Sequence, residues 1–166
     1  MAQLLSRFNT EGLVTGFLKI FSGNESNYIK ICKELETRLL VQAQGFWSNH
    51  YRFEAAAEKS SEAKPPALIG KDRARDVVVN IILPVLFLYS SETDDSKLRN
   101  AVREVFVRYP KLSENSITKA MRTQLFANKT RSSHLIKSAS QQQGLILLHK
   151  TFCRPLKCTE CLSLSD

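Results

Sequence analysis

KDRARDVVVNIILPVLFLY, residues 71–89, decides the fold. Its β-branched run, Val77 to Val79 with Ile81 and Ile82, also suits a strand. A helix fits better: the apolar run is long, its polar residues recur at helical intervals, and the segments on either side carry helical periodicity. Arg73, Asp76 and Asn80 step by three and then four, which places them on one helix face. Pro84 has no N–H to give the carbonyl of Asn80, so the helix should bend there. A buried Asn80 would then need partners for its freed carbonyl and its amide. The trio reads as an internal cap-and-kink network or, more sharply, as a polar binding site. The expected fold is all-α, a single domain of about six helices around one core, with this buried, proline-bent helix at its centre and a cysteine-rich tail.

Toward the N-terminus, Asn9 or Thr10 can cap GLVTGFLKIF (12–21), in which Leu13, Phe17 and Phe21 recur every fourth residue and which Gly23 closes. A second amphipathic helix is predicted from about Ser26 to Gln44, with Tyr28, Ile31, Leu35, Leu39 and Gln42 along one stripe and Gly45 ending it. FWSNHYRF (46–53) gathers Phe46, Trp47, Tyr51 and Phe53 around His50. It reads as a helical turn with an aromatic plug for the core; stacking on bases beside Arg52 is the alternative. EAAAEKSSEAKPP (54–66) reads as an exposed linker. The expected organisation is a helical pair with an aromatic cluster (1–53), the linker (54–66), and a helical core with a basic half (67–166), together one domain.

Beyond the central helix, Asp94 or Asp95 can cap a helix that runs through Leu98, Val102, Val105, Phe106 and Tyr109 and stops at Pro110. Asn115 caps NSITKAMRTQLF, with Ile117, Met121, Leu125 and Phe126 as its stripe. Residues 127–133 read as a loop. A last helix is predicted from Ser132 or Ser133, where Leu135, Ala139, Gln142, Ile146, His149 and Cys153 follow a 4-3-4-3-4 rhythm. Gly144 inside it costs about 1 kcal/mol against alanine, as a close helix contact or as a tolerated glycine.

The tail holds the most pointed chemistry: His149, Cys153, Cys158 and Cys161, spaced H-x3-C-x4-C-x2-C. His149 and Cys153 are four apart and point to one side of a helix end. Pro155 stops the helix, and Cys158 with Cys161 forms a CxxC knuckle that can fold back. One tetrahedral zinc needs four such donors, and a site closed by four protein ligands is structural rather than catalytic. An iron–sulfur cluster, with Cys32 completing three thiolates, and plain thiols are the alternatives. Three of the four cysteines fall in the last fourteen residues, unlike a secreted disulfide scaffold, which points to a reducing, cytoplasmic setting.

The net charge of +8 is lopsided. From Asn115 to Lys157 there is no Asp or Glu, while Lys119, Arg122, Lys129, Arg131, Lys137, Lys150, Arg154 and Lys157 supply eight cations. Such a run favours a polyanion, because phosphates release counterions when neutralised. Nucleic acid is the sharp reading; an acidic partner domain or a solvated face is the bland one. Neither a secretory signal nor a nucleophile elbow, Walker loop, HExxH or dinucleotide fingerprint is visible. The apolar run Val77–Tyr89 falls short of the roughly 18 residues that span a bilayer, so no membrane partner is expected.

FWSNHY, LIGKDRARDVVVNIILPVL (68–86), YPKLSENSIT (109–118) and QQQGLILLHKTFCRPLKCTEC (141–161), in this order, resemble the C-terminal part of an uncharacterised bacterial family, domain-of-unknown-function family 2851. The resemblance implies a longer architecture whose N-terminal part has acidic and histidine motifs like those of a nuclease core. It matches the family's three tail cysteines to Cys153, Cys158 and Cys161, and not His149. Three functions follow as expectations. The first is a non-catalytic helical module with a structural metal and a basic surface. The second is the substrate-binding part of a nuclease-like enzyme, using Arg73 and Arg122. The third is a purely structural or interaction domain.

Overall fold

In the computed structural model, which describes residues 6, 9–22, 27–48, 50, 67–126 and 135–161, the stretch Lys71–Glu92 is one continuous helix. The described residues hold seven assigned α-helices, two of them joined through a π-helical turn to make six rods in all, with a two-stranded ribbon beside them. The all-α reading therefore stands. The chain divides into two compact units, Met1–Val102 and Arg103–Asp166. The linker expected at 54–66 lies outside the described residues.

In the first unit, α1 (Leu13–Ser22) buries Gly16, Phe17, Ile20 and Phe21. Leu13, expected on that stripe, is 48% exposed. Helix α1 packs against α2 (Tyr28–Leu39). Asn27 caps α2, its Oδ1 accepting the Lys30 N–H at 3.1 Å. The second helix ends five residues before the predicted Gln44. Leu40 is already extended (φ −67°, ψ 130°), and Val41–Gln42 (β1) pairs antiparallel with Ala67–Ile69 (β2). Val41 and Ala43 are buried while Gln42 and Gln44 are exposed. This period of two is a strand's, and its pairing partner lies too far along the chain to be seen locally.

Lys71–Glu92 is α3, and its middle turn, Val78–Ile82, is π-helical: the Leu83 N–H reaches back to the carbonyl of Val78. The wider turn takes up Pro84 in the position after it, where the α-type ladder is already interrupted. Ala74, Val78, Val79, Ile82, Leu83 and Leu86 are buried, but Ile81, Val85 and Leu88 are 52%, 44% and 62% exposed. The helix is thus half-buried, which corrects the expectation of a fully enclosed one. Its 22 residues, at a mean hydropathy of 1.4, meet the length and composition of a membrane-crossing helix, further than the sequence run suggested; 39% of that window is buried inside the protein. Arg75 Nε and Glu36 Oε1, both largely buried and 3.5 Å apart, tie α3 to α2.

Cys32 is buried in α2. Burial, with the Glu36 carboxylate nearby, pushes its thiol up from 9.0 to about 11. A folded pKa above the unfolded one gives stability that is complete below pH 9.0 and lost as the pH rises through about 11. In denaturant melts the chain should therefore lose stability across this window, and a Cys32→Ala variant should lose less. Rapid maleimide labelling of Cys32 in the folded protein at neutral pH would contradict this placement.

Helix α4 (Ser96–Arg108) contains the division between the units. Asp95 caps it, accepting the Leu98 N–H at 2.9 Å. In the second unit Tyr109 is wholly buried. The backbone of 109–111 pairs with 137–139: Ala139 N–H donates to the Tyr109 carbonyl at 2.9 Å and Lys111 N–H to that of Lys137 at 3.3 Å. This extended pairing delays the last helix. Its N-cap is Ser138, in a reciprocal capping box with Gln141, rather than Ser132 or Ser133, and Leu135 is 52% exposed outside it. Helix α5 (Ser116–Phe126) is capped by Asn115, whose Oδ1 accepts the Thr118 N–H at 2.8 Å, and it packs against α6 (Ala139–Leu148). A side chain at Gly144 would meet open space, so that glycine is tolerated rather than required.

Candidate metal and anion site

The second unit positions the tail chemistry. From α6 the chain continues as a π-helical turn, His149–Cys153, in which the Arg154 N–H donates to the His149 carbonyl at 2.8 Å. The turn closes with a double bond pattern: Lys157 N–H to Phe152 carbonyl (2.8 Å) and Leu156 N–H to Cys153 carbonyl (3.1 Å). Leu156 between them has φ 58°. This is a Schellman closure with leucine in the left-handed position that glycine normally fills. It reverses the chain directly after Pro155. A short 3-10 turn, Cys158–Glu160, follows, and the Cys161 N–H donates to the Cys158 carbonyl at 3.2 Å.

The reversal brings Cys153, Cys158 and Cys161 to the wall of one pocket of about 90 Å³, shared with Met121, Leu125, Leu148 and Phe152 among others. Cys153 Sγ lies 3.7 Å from the Met121 sulfur. Cys158 is exposed; Cys153 and Cys161 are half-buried. Nδ1 of His149 is buried without a hydrogen-bond partner among the described residues. His149 itself is not on the pocket wall. Among the described residues no three His, Cys, Asp or Glu side chains form a ready metal-binding group. The pocket therefore gathers the thiols along one wall without closing them on a point. Cys32 belongs to the first unit, and its raised pKa keeps it protonated, an unfavourable state for a cluster ligand.

The basic residues fare unequally. Lys119, Lys137, Lys150 and Arg154 are exposed, with no carboxylate at ion-pair distance among the described residues. Arg122 is engaged on two sides by Glu114, Nε to Oε1 and Nη2 to Oε2 both at 3.2 Å, and its side chain is 21% exposed. Lys157 is exposed but stands 3.5 Å from Glu160. Lys129 and Arg131 lie outside the described residues. In the first unit, Arg73 is exposed and 4.0 Å from Asp76, and the exposed Asn80 amide donates to the Asp76 carbonyl at 2.8 Å. The trio is thus a local surface arrangement on α3, not the interior network expected of a buried kink.

The aromatic stretch also sits at the surface. Phe46 and Trp47, on the 3-10 turn Gly45–Ser48, are 47% and 36% exposed, and the His50 ring stacks on Phe46 with centroids 3.9 Å apart. The expected core plug is not formed by these residues; Tyr51, Arg52 and Phe53 lie outside those described. Sequence reading missed the Glu114 clamp on Arg122, whose signal was a carboxylate just ahead of the acid-free run. It placed Met121 on a buried stripe without seeing a thioether beside the thiols.

A helical chain whose tail places three thiols on one pocket wall does not by itself define an activity. The chain belongs to the family described as protein of unknown function (DUF2851), whose model matches residues 11–115. The match takes in FWSNHY and residues 68–86 and ends before the pocket, so the three tail cysteines lie beyond it. No curated protein and no solved structure matches the chain.

Proposed function

We propose that the chain is a non-catalytic helical module whose second unit binds nucleic acid through the phosphate backbone. The carrying observation is the set Lys119, Lys137, Lys150 and Arg154, exposed and without carboxylate neighbours, within a run that has no Asp or Glu from 115 to 157. Exposed ammonium and guanidinium groups attract phosphate oxygens and release counterions; they carry no base readout, so binding is insensitive to sequence. Lys150, on the π-helical turn, and Arg154, its C-cap residue, stand four apart in sequence.

The substrate-binding reading that relied on Arg73 and Arg122 has less support, since Glu114 occupies the Arg122 guanidinium and Asp76 stands beside Arg73. An acidic protein domain remains the second reading, because the same cations serve it.

Fluorescence anisotropy with labelled duplex and single-stranded DNA tests the proposal. Four phosphate contacts give a slope of log affinity against log salt of about −3 to −4. Lys150→Glu with Arg154→Glu should weaken binding at least about tenfold, since one lost contact of 1.4 kcal/mol already equals that factor. Absent or salt-insensitive binding would remove nucleic acid as the ligand. Binding to an acidic polypeptide but not to DNA would favour the second reading.

A further inference from the structure

We propose that the exposed face of α3 is the surface on which two copies of this chain pair, antiparallel and two-fold, with Arg73 of each copy against Glu92 of the other. The helix is buried along Ala74, Val78, Ile82, Leu86 and Ser90, every fourth residue. Its opposite side bears Ile81, Pro84, Val85, Leu88 and Tyr89, all exposed and neighbours at helical spacing. Apolar side chains scattered singly over a surface need no explanation, but a run that adjoins along one helix face marks a contact surface. Charges bracket the run: the Arg73 side chain is 74% exposed near one end of the helix, and Glu92 is exposed at the other.

This arrangement is self-complementary in one orientation. A second α3 laid antiparallel and centred between Ile82 and Leu83 sets Arg73 across from Glu92 twice over, Val77 across from Leu88 and Ile81 across from Pro84. Asp76 then stands across from Tyr89, whose phenol O–H can donate to that carboxylate. In the parallel orientation Arg73 would meet Arg73 and Glu92 would meet Glu92, and the helix dipoles would align, so both effects oppose it. The antiparallel contact is isologous, so association stops at two. Asn80, the polar residue in the middle of the face, already gives its amide to the Asp76 carbonyl, which lowers the cost of covering it. A bilayer is the rival cover, since Lys71–Glu92 has the length and hydropathy to cross one. Crossing would break the packing that buries 39% of the apolar window, together with the Arg75–Glu36 tie to α2. Pairing two copies covers the exposed face and leaves that packing intact. A single helix-on-helix contact falls at the small end of specific interfaces, under about 1,200 Å², so pairing depends on concentration.

Sedimentation equilibrium of the full chain, reduced and free of nucleic acid, tests this. Twice the chain mass is expected at about 100 μM and the single mass at about 1 μM, the behaviour of a micromolar complex. Leu88→Glu, at a site outside the core, should weaken pairing at least about tenfold and leave the helical circular dichroism and melting temperature of the monomer unchanged. Arg73→Glu and Glu92→Arg should each weaken it about three- to tenfold, because each puts two like-charge pairs into the dimer. The double swap, Arg73→Glu with Glu92→Arg, should restore wild-type pairing, since each end again meets its opposite. A monomer at about 100 μM, or a dimer indifferent to Leu88→Glu, overturns the proposal. Single charge variants without effect, or a double swap that fails to rescue them, overturn the antiparallel register. Flotation of the chain with phosphatidylcholine vesicles in place of self-association assigns the face to lipid and overturns the pairing.

Discussion

Phe17→Ala should lower the unfolding free energy by about 3–5 kcal/mol, as read from urea melts of the full chain. Phe17 is 1% exposed, in the face of α1 that packs on α2. Two effects meet at its ring. One is burial of a whole aromatic side chain, with a cavity left behind on truncation. The other is the Arg38 guanidinium, whose central carbon lies 5.9 Å from the ring centroid; at a partly exposed site that is worth about 0.5–1 kcal/mol. Burial dominates several-fold. Phe17→Leu keeps most of the apolar volume and loses the π face, so it should cost only about 1–2 kcal/mol. A cycle pairing Phe17→Leu with Arg38→Met should return a coupling of at most about 1 kcal/mol. Equal losses for the alanine and leucine variants would mean that Phe17 is not in a filled core, and the packing of α1 on α2 would have to be redrawn.

Arg38 also shows where sequence periodicity stops being informative. The stripe predicted for α1 located Phe17 and Phe21 correctly because burial of large apolar groups repeats at helical spacing. Nothing in that pattern singled out Gly16, yet a Cβ there would run into the Arg38 guanidinium. The missing side chain is what lets Arg38 lie along α1 and pair with Glu11. That requirement is set by a residue 22 positions away. Two helix caps, by contrast, were legible: Asp95 and Asn115 bond within three residues of themselves, so their signals are local, whereas the cap of the last helix, Ser138, was not. The end of α2 was not, because Val41–Gln42 becomes a strand only through pairing with Ala67–Ile69. The tail divides in the same way. Spacing alone nominated His149, Cys153, Cys158 and Cys161; the three cysteines share a pocket wall and His149 does not. The means of reversal was hidden, since a left-handed leucine has no compositional flag of the kind glycine gives.

Gln142→Leu should cost about 2–4 kcal/mol, a large loss for a change that fills the same space with an apolar group. The rhythm of the last helix put Gln142 among the inward residues, where an amide looks like a misfit. It is 3% exposed. Its Oε1 accepts the Leu112 N–H at 2.6 Å and its Nε2 donates to the Leu112 carbonyl at 3.0 Å, 30 residues away in the chain. The amide thus supplies both halves of a strand-like pairing to an irregular segment that lacks a helix or sheet of its own. Leucine would strand two backbone groups at once, and that penalty exceeds any gain from extra apolar area. Gln142→Glu separates the two bonds. As a carboxylate it still accepts from Leu112 N–H but faces the carbonyl without a proton; as a carboxylic acid it restores both. Burial raises the folded pKa of such a group. Its stabilisation should therefore be whole below the unfolded value of about 4.3 and disappear as the pH climbs through the raised folded one. Measured against wild type at each pH, the deficit of Gln142→Glu should shrink on acidification, while that of Gln142→Leu stays constant. A pH-independent Glu deficit together with a Leu loss below about 1 kcal/mol would show that Leu112 is held by something other than this amide.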